Sequence, residues 1–270
     1  MGFTIPPDTE MALRLGVFLA VFVALASWEW VAPARTPRLS RTLRWRANLG
    51  LALVNTLVLR VVLPGSALAF AALAAAEGWG LLNRVELPAW LAVLAGVVIL
   101  DLVIYFQHVL FHSVPALARL HAVHHADPDF DLTTGIRFHP LEILLSTLIK
   151  FAAIAALGAP VLAVLLFEIL LNATAMFNHA NVSLPAWLEP LVRRVLVTPD
   201  MHRTHHSVVE SERNSNYGFC LSVWDRLLGT YTAAPRGALD IGLAAWRDPE
   251  RVATLRGTLE LPFLRDRAAV

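Results

Sequence analysis

Long apolar runs separated by short polar segments dominate the hydrophobic pattern of this chain. The runs cover residues 11–31, 48–75, 89–106, 143–157 and 161–177. Because about 20 apolar residues span the hydrocarbon core of a bilayer, these runs predict transmembrane helices. Pro64 and Gly65 interrupt the second run, which is either one broken helix or a span with a re-entrant piece. The pattern predicts an all-α, multi-pass integral membrane protein with about four to five transmembrane helices.

The polar segments between the runs predict the topology. Residues 35–46 contain five arginines and no acidic residue, and short loops rich in arginine remain on the cytoplasmic side. With the N-terminus on the opposite side, successive crossings place every histidine of the chain, from His108 to His206, on the cytoplasmic face. From Val182 onward the chain is more polar, which predicts a cytoplasmic helical cap. We expect the protein in a bacterial inner membrane.

The composition is that of a membrane protein, and it favours neither a nucleic-acid-binding protein nor a disulfide-stabilised one. Hydrophobic residues make up 57% of the 270 residues and charged residues only 16%, whereas charged residues are about 25% of a soluble domain. The net charge of +1 gives no indication of a nucleic-acid partner, and a single cysteine, Cys220, excludes an intrachain disulfide. Asp8 and Glu10 precede the first run where a signal peptide would be positive, so this run is predicted to be a retained helix.

The chain length indicates one domain over residues 1–270. Within it, residues 1–100 are predicted to form the N-terminal spans. Residues 101–231 contain all the histidines and are predicted to form the catalytic core. Residues 232–270 are predicted to be a C-terminal tail.

Histidine spacing is the strongest chemical signal. The segments HAVHH at 121–125 and HRTHH at 202–206 repeat one pattern, and a helical pair at i, i+4 precedes them. On a helix, such spacings bring the rings to one side. Parity of the predicted spans adds two single histidines, on either side of the last hairpin. The candidate metal ligands are His108, His112, His121, His124, His125, His139, His179, His202, His205 and His206.

Ten imidazoles are enough for two metal ions with four or five ligands each. Imidazole is a suitable ligand for zinc, copper, iron and nickel. The H-E-x-x-H string of zinc hydrolases is absent from the sequence, and haem needs only one or two axial histidines. An all-nitrogen pair of metals at a membrane face fits iron that activates O2 for attack on a lipid. The alternative is a histidine-rich membrane protein that binds or transports metal without redox chemistry.

Two polar residues are candidates for orienting the ligands. Asp101 lies on the same predicted helical stripe as His108 and His112, and a carboxylate can hold a ligating imidazole through its second N–H. Asn178, directly before His179, is a candidate for the same role. The alternative for Asp101 is a polar contact in the helix interior without any relation to metal.

The quoted segments resemble the fatty acid hydroxylase/sterol desaturase superfamily of integral-membrane, non-haem di-iron enzymes. The resemblance covers residues 101–231 and depends on the strings DLVIYFQHVLFH, LHAVHHADPDFDLTTGIRFHPLE, FNHANVSLP and TPDMHRTHHSVVESERNSNYGFCLSVWDRLLGTY. The three histidine boxes of that family correspond to the pair at 108/112 and the triplets at 121–125 and 202–206. The chain is most similar to the bacterial branch called sterol desaturases, which is also similar to alkylglycerol monooxygenase.

This resemblance implies an O2-dependent oxidation of a C–H bond in a membrane lipid, such as a sterol, a fatty acyl chain or an ether lipid. It implies two iron ions, with O2 as co-substrate, and zinc as a possible substitute for iron in a structure. Hydroxylation and desaturation share the first step and both remain open. No cytochrome b5-like segment is recognisable, so we expect electrons from a separate redox partner, a ferredoxin- or cytochrome-type reductase system.

A last expectation concerns two isolated charges in the final pair of apolar runs. Lys150, the only lysine, and Glu168 are each nine residues from Ala159, at the centre of the turn between the runs. Antiparallel helices rise equally per residue, so the two side chains are predicted at the same depth. Because an unpaired charge in a span is costly, we predict that they face each other inside the bundle.

Overall fold

A computed structural model describes residues 6–264 of the chain. Those residues form helices with three isolated β-bridges and no β-strand, which confirms the all-α fold class. The longer helices are α1 (Pro7–Val31), α2 (Arg41–Val62), α3 (Ala67–Ala76), α4 (Ala89–Ser113), α5 (Pro115–His125), α6 (Pro140–Leu157) and α7 (Val161–Asn178). The shorter ones are α8 (Glu189–Val192), α9 (Pro199–His205), α10 (Glu210–Arg213), α11 (Val223–Leu227), α12 (Pro249–Val252) and α13 (Leu255–Glu260).

Five helical stretches in the described residues are long and apolar enough to cross a membrane, and they confirm the predicted number of spans. They cover Asp8–Val31, Arg41–Ala76, Ala89–Ser113, Pro140–Leu157 and Val161–Asn178. The chain is therefore an integral membrane protein. The remaining helices after α7 are too short to cross.

The second apolar run is a helix broken at Pro64. Helix α2 ends at Val62, and α3 begins at Ala67, where the Ser66 side chain accepts a hydrogen bond from the Ala69 N–H at 3.1 Å. A proline has no backbone N–H and fixes φ, so the chain changes direction there. Beyond the break, α3 packs against α6 and α7.

Helices α6 and α7 form the predicted hairpin. Gly158 ends α6 with φ of +67°, the left-handed conformation that glycine adopts without strain. Lys150 Nζ and Glu168 Oε1 form an ion pair across the hairpin, which confirms the predicted pairing. The structure adds a third partner, because Arg14 of α1 places its Nη2 3.0 Å from Glu168 Oε2.

The arginine-rich segment packs beside the histidine-bearing segments at one end of the bundle. Arg44 donates from Nε to Asp127 Oδ1 and from Nη2 to Asp127 Oδ2, both at 2.7 Å. Arg137 donates to the Val123 carbonyl at 2.7 Å and to Asn48 Oδ1 at 2.8 Å. Burial lowers the pKa of Arg137 to about 10, and it remains a cation at neutral pH. These buried contacts hold α2 against the segment that follows α5.

The predicted tail packs on the same end as far as the structure describes it. Trp246, Val252 and Leu261 form a buried apolar cluster with Leu51 of α2 and Val123 of α5. The last residues of the predicted tail, 265–270, and the first five residues of the chain lie outside the described residues. Residues 241–264 thus cover the outer side of the histidine-bearing helices.

Candidate metal centre

Nine of the ten histidines lie in two buried groups whose nitrogens are close enough to share metal ions. Within each group, one nitrogen per residue lies within 4.8 Å of the corresponding nitrogens of all the others. The five-histidine group consists of His108, His112, His121, His125 and His205. The four-histidine group consists of His124, His179, His202 and His206.

Each H-x-x-H-H triplet contributes to both groups. On a helix, residues at i and i+4 are about 40° apart in projection, whereas i+3 lies about 60° to the other side. Thus His121 and His125 of α5 enter the five-histidine group, while His124 enters the other. Helix α9 does the reverse and sends only His205 to the five-histidine group. The sequence predicted convergence, but the division of each triplet follows from how α5 and α9 face each other.

The two groups are in direct contact. The rings of His125 and His206 stack with centroids 4.4 Å apart, although they belong to different groups. The rings of His108 and His202 also meet across the boundary, with centroids 6.2 Å apart. Metal ions held by the two groups would therefore be neighbours.

Hydrogen bonds at Nδ1 orient several rings. His108 Nδ1 lies 2.9 Å from the Tyr217 carbonyl oxygen, and His205 Nδ1 lies 2.7 Å from the Ser215 carbonyl oxygen. A carbonyl only accepts, so Nδ1 carries the proton and the Nε2 lone pair is free. His121 Nδ1 makes the corresponding contact with Glu142 Oε1 at 2.6 Å. This arrangement is typical of metal-ligating histidines.

The freed nitrogens fit metal ions. The Nε2 atoms of His108, His121 and His205 are buried without a hydrogen-bond partner in the described part of the chain. In the other group, His179 Nε2 lies 3.1 Å from His124 Nε2 and 3.0 Å from His202 Nε2. Two nitrogens about 2.1 Å from one ion are about 3 Å apart when they subtend a right angle. Such buried lone pairs are costly unless an ion uses them.

Burial favours the neutral form of six of these rings, which is the form that binds a metal. Burial lowers the pKa values of His124 and His125 of α5 well below the ordinary value of 6.5. It has the same effect on the pKa values of His202, His205 and His206. At the C-terminal end of α7, burial lowers the pKa of His179 to about 3. A neutral imidazole presents a lone pair to a metal, whereas an imidazolium does not.

His139 lies apart from both groups. Its Nδ1 accepts a hydrogen bond from the Leu141 N–H at 3.2 Å, which caps the N-terminus of α6. Its Nε2 lies 3.3 Å from the Leu259 carbonyl oxygen. Because both ring nitrogens have other partners, we do not include His139 among the proposed metal ligands.

The two polar residues expected to orient imidazoles contact other groups. Asp101 accepts hydrogen bonds from the N–H groups of Cys220 and Leu221, both at 3.2 Å, and from Trp224 Nε1 at 2.8 Å. Asn178 donates to the Phe219 carbonyl at 2.9 Å. Both therefore position the segment after the third histidine box, and no histidine contact of either side chain is present in the described residues.

Glu142 is the orienting carboxylate that the sequence reasoning missed. It lies in the first turn of α6, three residues after His139. The carboxylate of Glu142, two residues after Pro140, is visible in the sequence. Its partner, His121, is 21 residues away in the chain, so no local pattern connects the two residues. Only the packing of α5 on α6 brings the two together.

Comparison with known proteins identifies the family of this chain. The sequence model of the family described as "Fatty acid hydroxylase" matches residues 93–230, just over half of the chain. The chain belongs to the fatty acid hydroxylase family. The matched residues contain all ten histidines, so the two groups of this fatty acid hydroxylase family member lie within its family region.

Curated relatives in this family act on lipids according to their names. The chain is 34% identical over 157 residues to ornithine lipid hydroxylase OlsE of Rhizobium tropici, covering 58% of the chain and 46% of the relative. It is 29% identical to alkylglycerol monooxygenase of Xenopus tropicalis, covering 57% and 34% of the two chains. The chain thus covers less than half the length of these relatives. No solved structure matches the chain.

Proposed function

We propose that this protein is a membrane-bound, O2-dependent oxidoreductase that hydroxylates a C–H bond of a membrane lipid with two iron ions held by its histidines. The observation that carries the proposal is the pair of buried groups, in which hydrogen bonds at Nδ1 free the Nε2 atoms of His108, His121 and His205. Desaturation would begin with the same hydrogen abstraction, but the names of the relatives, a hydroxylase and a monooxygenase, favour hydroxylation.

The nine grouped histidines are the proposed ligands. Five would hold one ion and four the other, with Glu142 keeping His121 in the ligating tautomer. The bound irons would supply O2 activation and removal of hydrogen from an unactivated C–H bond, with electrons from a separate donor. Neutral, buried and hydrogen-bonded rings are typical of a resident cofactor site, which supports this proposal over transport of a metal cargo.

A cavity of about 380 Å³ leads from the histidines into the bundle. His108 and His121 line one end, and Lys150 and Glu168 line the other. A second cavity, of about 660 Å³, lies between α1, α2 and α7 and shares six lining residues with the first: Arg14, Phe18, Thr56, Leu59, Glu168 and Asn172. The two cavities support lateral entry of a lipid from the bilayer, with its target carbon close to the irons and away from bulk water.

The proposal also covers the orientation of the protein in its membrane and the source of its electrons. We propose that residues 1–270 act as one domain in a bacterial inner membrane, with the arginine-rich segment and the histidines on the cytoplasmic face. Cytoplasmic electron donors of ferredoxin or cytochrome type would then reach the end of the bundle that holds the irons. Residues 1–100 would support the catalytic core, 101–231.

Metal analysis and lipid analysis together test the proposal. Protein purified without oxygen and reconstituted with ferrous iron should contain about two irons per chain. Lipid extracts of cells that express the gene should contain a species heavier by one oxygen atom, absent from cells that express a His121→Ala variant. A single zinc, with no gain of iron on reconstitution and no change in lipids, would overturn it.

A further inference from the structure

The cavity that reaches the histidines is lined by many polar side chains although it lies inside an apolar bundle. All five spanning stretches contribute an amide or a charge, among them Arg14 of α1, Asn55 of α2, Gln107 of α4, Lys150 of α6 and Glu168 of α7. Arg14 and Lys150 pair with Glu168, and Gln107 donates to Ser146. A hydrocarbon chain would still cover these polar groups without offering them any further hydrogen bond, which is unfavourable. The lining therefore indicates that something other than plain hydrocarbon occupies the cavity.

Two acceptor oxygens in the lining have no partner in the described residues. Asn55 is 7% exposed, and its Nδ2 donates to the Phe138 carbonyl at 3.0 Å, which fixes the amide and leaves Oδ1 unpaired. Glu142 is 4% exposed, with Oε1 on His121 and Oε2 unpaired. Buried polar atoms in proteins nearly always have a partner. Both unpaired atoms accept, so the missing partner is a donor.

The size of the cavity limits what enters it. A water molecule occupies about 30 Å³ in the liquid, so about 380 Å³ holds on the order of a dozen non-hydrogen atoms. Along α6, Glu142 and Lys150 are eight residues apart, or about 12 Å. This space suits a polar head and a few carbons, while the rest of a lipid would extend into the adjoining cavity between α1, α2 and α7.

We infer that the cavity receives the hydrogen-bond-donating polar end of a lipid, carrying a hydroxyl or an ammonium group, and not the middle of a saturated chain. The donor would bond to Asn55 Oδ1 and Glu142 Oε2, so that a neighbouring C–H lies beside the ring of His121. This inference rests on the proposed function and names the substrate class: a lipid oxidised at or next to its head. Asn55 is then a residue that determines specificity.

Binding of three twelve-carbon probes tests this inference without turnover. The probes are 1-lauroylglycerol (hydroxyl donors), dodecylamine (an ammonium donor) and methyl laurate (no donor), measured on iron-loaded protein in detergent without an electron donor. At least one donor probe should bind roughly ten-fold more tightly than methyl laurate. The Asn55→Leu variant should lose most of that preference. The Thr56→Val variant is the matched control, because the Thr56 hydroxyl already bonds to the Ala52 carbonyl at 2.8 Å.

A second variant separates loss of the acceptor from loss of the contact with Phe138. Asn55→Asp removes the amide donor to that carbonyl but keeps an acceptor, so it should retain the preference and shift it toward dodecylamine. Wild-type protein that binds methyl laurate as tightly as both donor probes would overturn the inference. An Asn55→Asp variant with an unchanged ratio of the two donor affinities would also contradict it, even if Asn55→Leu fails to fold.

The outcomes distinguish this inference from the proposed function. Selective binding of donor probes by a protein that changes no lipid would leave the inference standing and remove the oxidation chemistry. Oxidation at the middle of an acyl chain, with the tightest binding for methyl laurate, would support the oxidation chemistry and overturn the inference.

Discussion

A hydrogen bond at Nδ1 determines the tautomer of several imidazoles in the two histidine groups. Where a carbonyl or carboxylate accepts from Nδ1, the tautomer is fixed and Nε2 is available to a metal. His108, His121 and His205 all follow this rule, yet only His121 has a carboxylate as its acceptor. This makes Glu142 the side chain whose removal tests the orientation of a ligand directly.

Replacing Glu142 should weaken metal binding without removing a ligand. We expect Glu142→Ala to lower iron affinity about 10- to 100-fold, since an orienting partner of a ligating histidine typically contributes that much. Glu142→Gln should lose less, because the amide oxygen still accepts from Nδ1. Affinity is measured by competition with a chelator. Glu77→Ala, at an exposed position after α3, serves as control, and equal affinities of all four proteins would remove Glu142 from the site.

The two single histidines should behave differently. His179→Ala should lose metal from the four-histidine group, because its Nε2 lies within 3.1 Å of two other ring nitrogens. His139→Ala should keep the full iron content and lower the free energy of unfolding by about 1 kcal/mol, as expected for a lost helix cap. Iron analysis and denaturant unfolding measure the two effects. Full iron in His179→Ala, or loss of iron in His139→Ala, would contradict the proposed ligand set.

At the scale of residues, the sequence predicted which histidines converge but not the groups that accept hydrogen bonds from their Nδ1 atoms. Spacing alone brought out the pair and the two triplets, since helical periodicity depends only on neighbours in the chain. The acceptors of Nδ1 are mostly backbone carbonyls of distant segments, such as Tyr217 and Ser215. A carbonyl has no sequence signature. Asp101 was selected for sharing a helical stripe with the first two histidines, but its side chain points to the segment at 220–224 instead.

At the scale of elements, α2 is fixed to the histidine-bearing segment by a buried charge network. Arg44 is 1% exposed and forms ion pairs with Asp127 and Asp131. Burial by itself raises the pKa of Asp127, but the attraction of Arg44 outweighs it and the pKa is about 2. Breaking a buried pair by removing one partner is strongly destabilising because a charge remains without compensation.

Removing the buried arginine should therefore destabilise the fold. We expect Arg44→Met to lower the free energy of unfolding in detergent by about 3–5 kcal/mol. Arg46→Met, an exposed position two residues later on the same helix, should change it by less than about 0.5 kcal/mol. Similar values for the two variants would show that the network contributes little.

The pH dependence should follow the sign of the Asp127 shift. A pKa of about 2 in the folded state lies below the ordinary 3.8, so the stabilisation is complete above about pH 4 and is lost as the pH falls toward 2. In Arg44→Met, the unpaired buried carboxyl group has a raised pKa, and its protonation favours the folded state. The difference in stability between variant and wild type should therefore narrow on acidification. A constant difference from pH 7 to pH 3 would contradict this linkage.

The charged cluster of Lys150, Glu168 and Arg14 shows what an antiparallel register can predict. Equal distance from the turn placed Lys150 opposite Glu168, as the structure confirms. Arg14 could not be predicted this way, because α1 is far away in the chain and the packing of α1 on α7 is not encoded in a local pattern. The shared anion is therefore Glu168.

Single substitutions in this cluster should lower the free energy of unfolding by different amounts. Lys150→Met leaves Glu168 paired with Arg14. Glu168→Met leaves Lys150 without its anion and leaves Arg14 with Glu10 as its remaining ion-pair partner. We expect Glu168→Met to lower the free energy of unfolding by about 3 kcal/mol or more and Lys150→Met by clearly less. Exchanging the two charges should not restore stability, because Glu168→Lys would place a second cation beside Arg14. Unfolding in detergent measures these effects, and full rescue by the exchange would show that Arg14 is not coupled to the pair.

At the scale of the whole molecule, one end of the bundle collects the arginine-rich segment, the histidines and the segment after residue 182. The backbone N–H of Arg38 donates to Asp129 at 2.8 Å, and that of Arg35 donates to Asn181 Oδ1 at 3.0 Å. Hydropathy and parity predicted this common end, because the spans are long and their number is small. The packing of residues 241–264 over α5 could not be predicted, since that stretch has no long apolar run.

Accessibility of introduced cysteines should give the orientation of this end. In intact bacterial cells, Ala34→Cys and Gly237→Cys should be protected from a membrane-impermeant maleimide, because arginine-rich loops remain in the cytoplasm. Glu77→Cys, after α3 and on the other side of the spans, should react. The native Cys220 is buried and provides the unreactive background. After cell lysis all three variants should be labelled.

Labelling of Ala34→Cys and Gly237→Cys with protection of Glu77→Cys would invert the topology and place the histidines on the outer face. Labelling of only one of the first two would instead contradict the five-span arrangement, since both positions lie at the same end of the bundle.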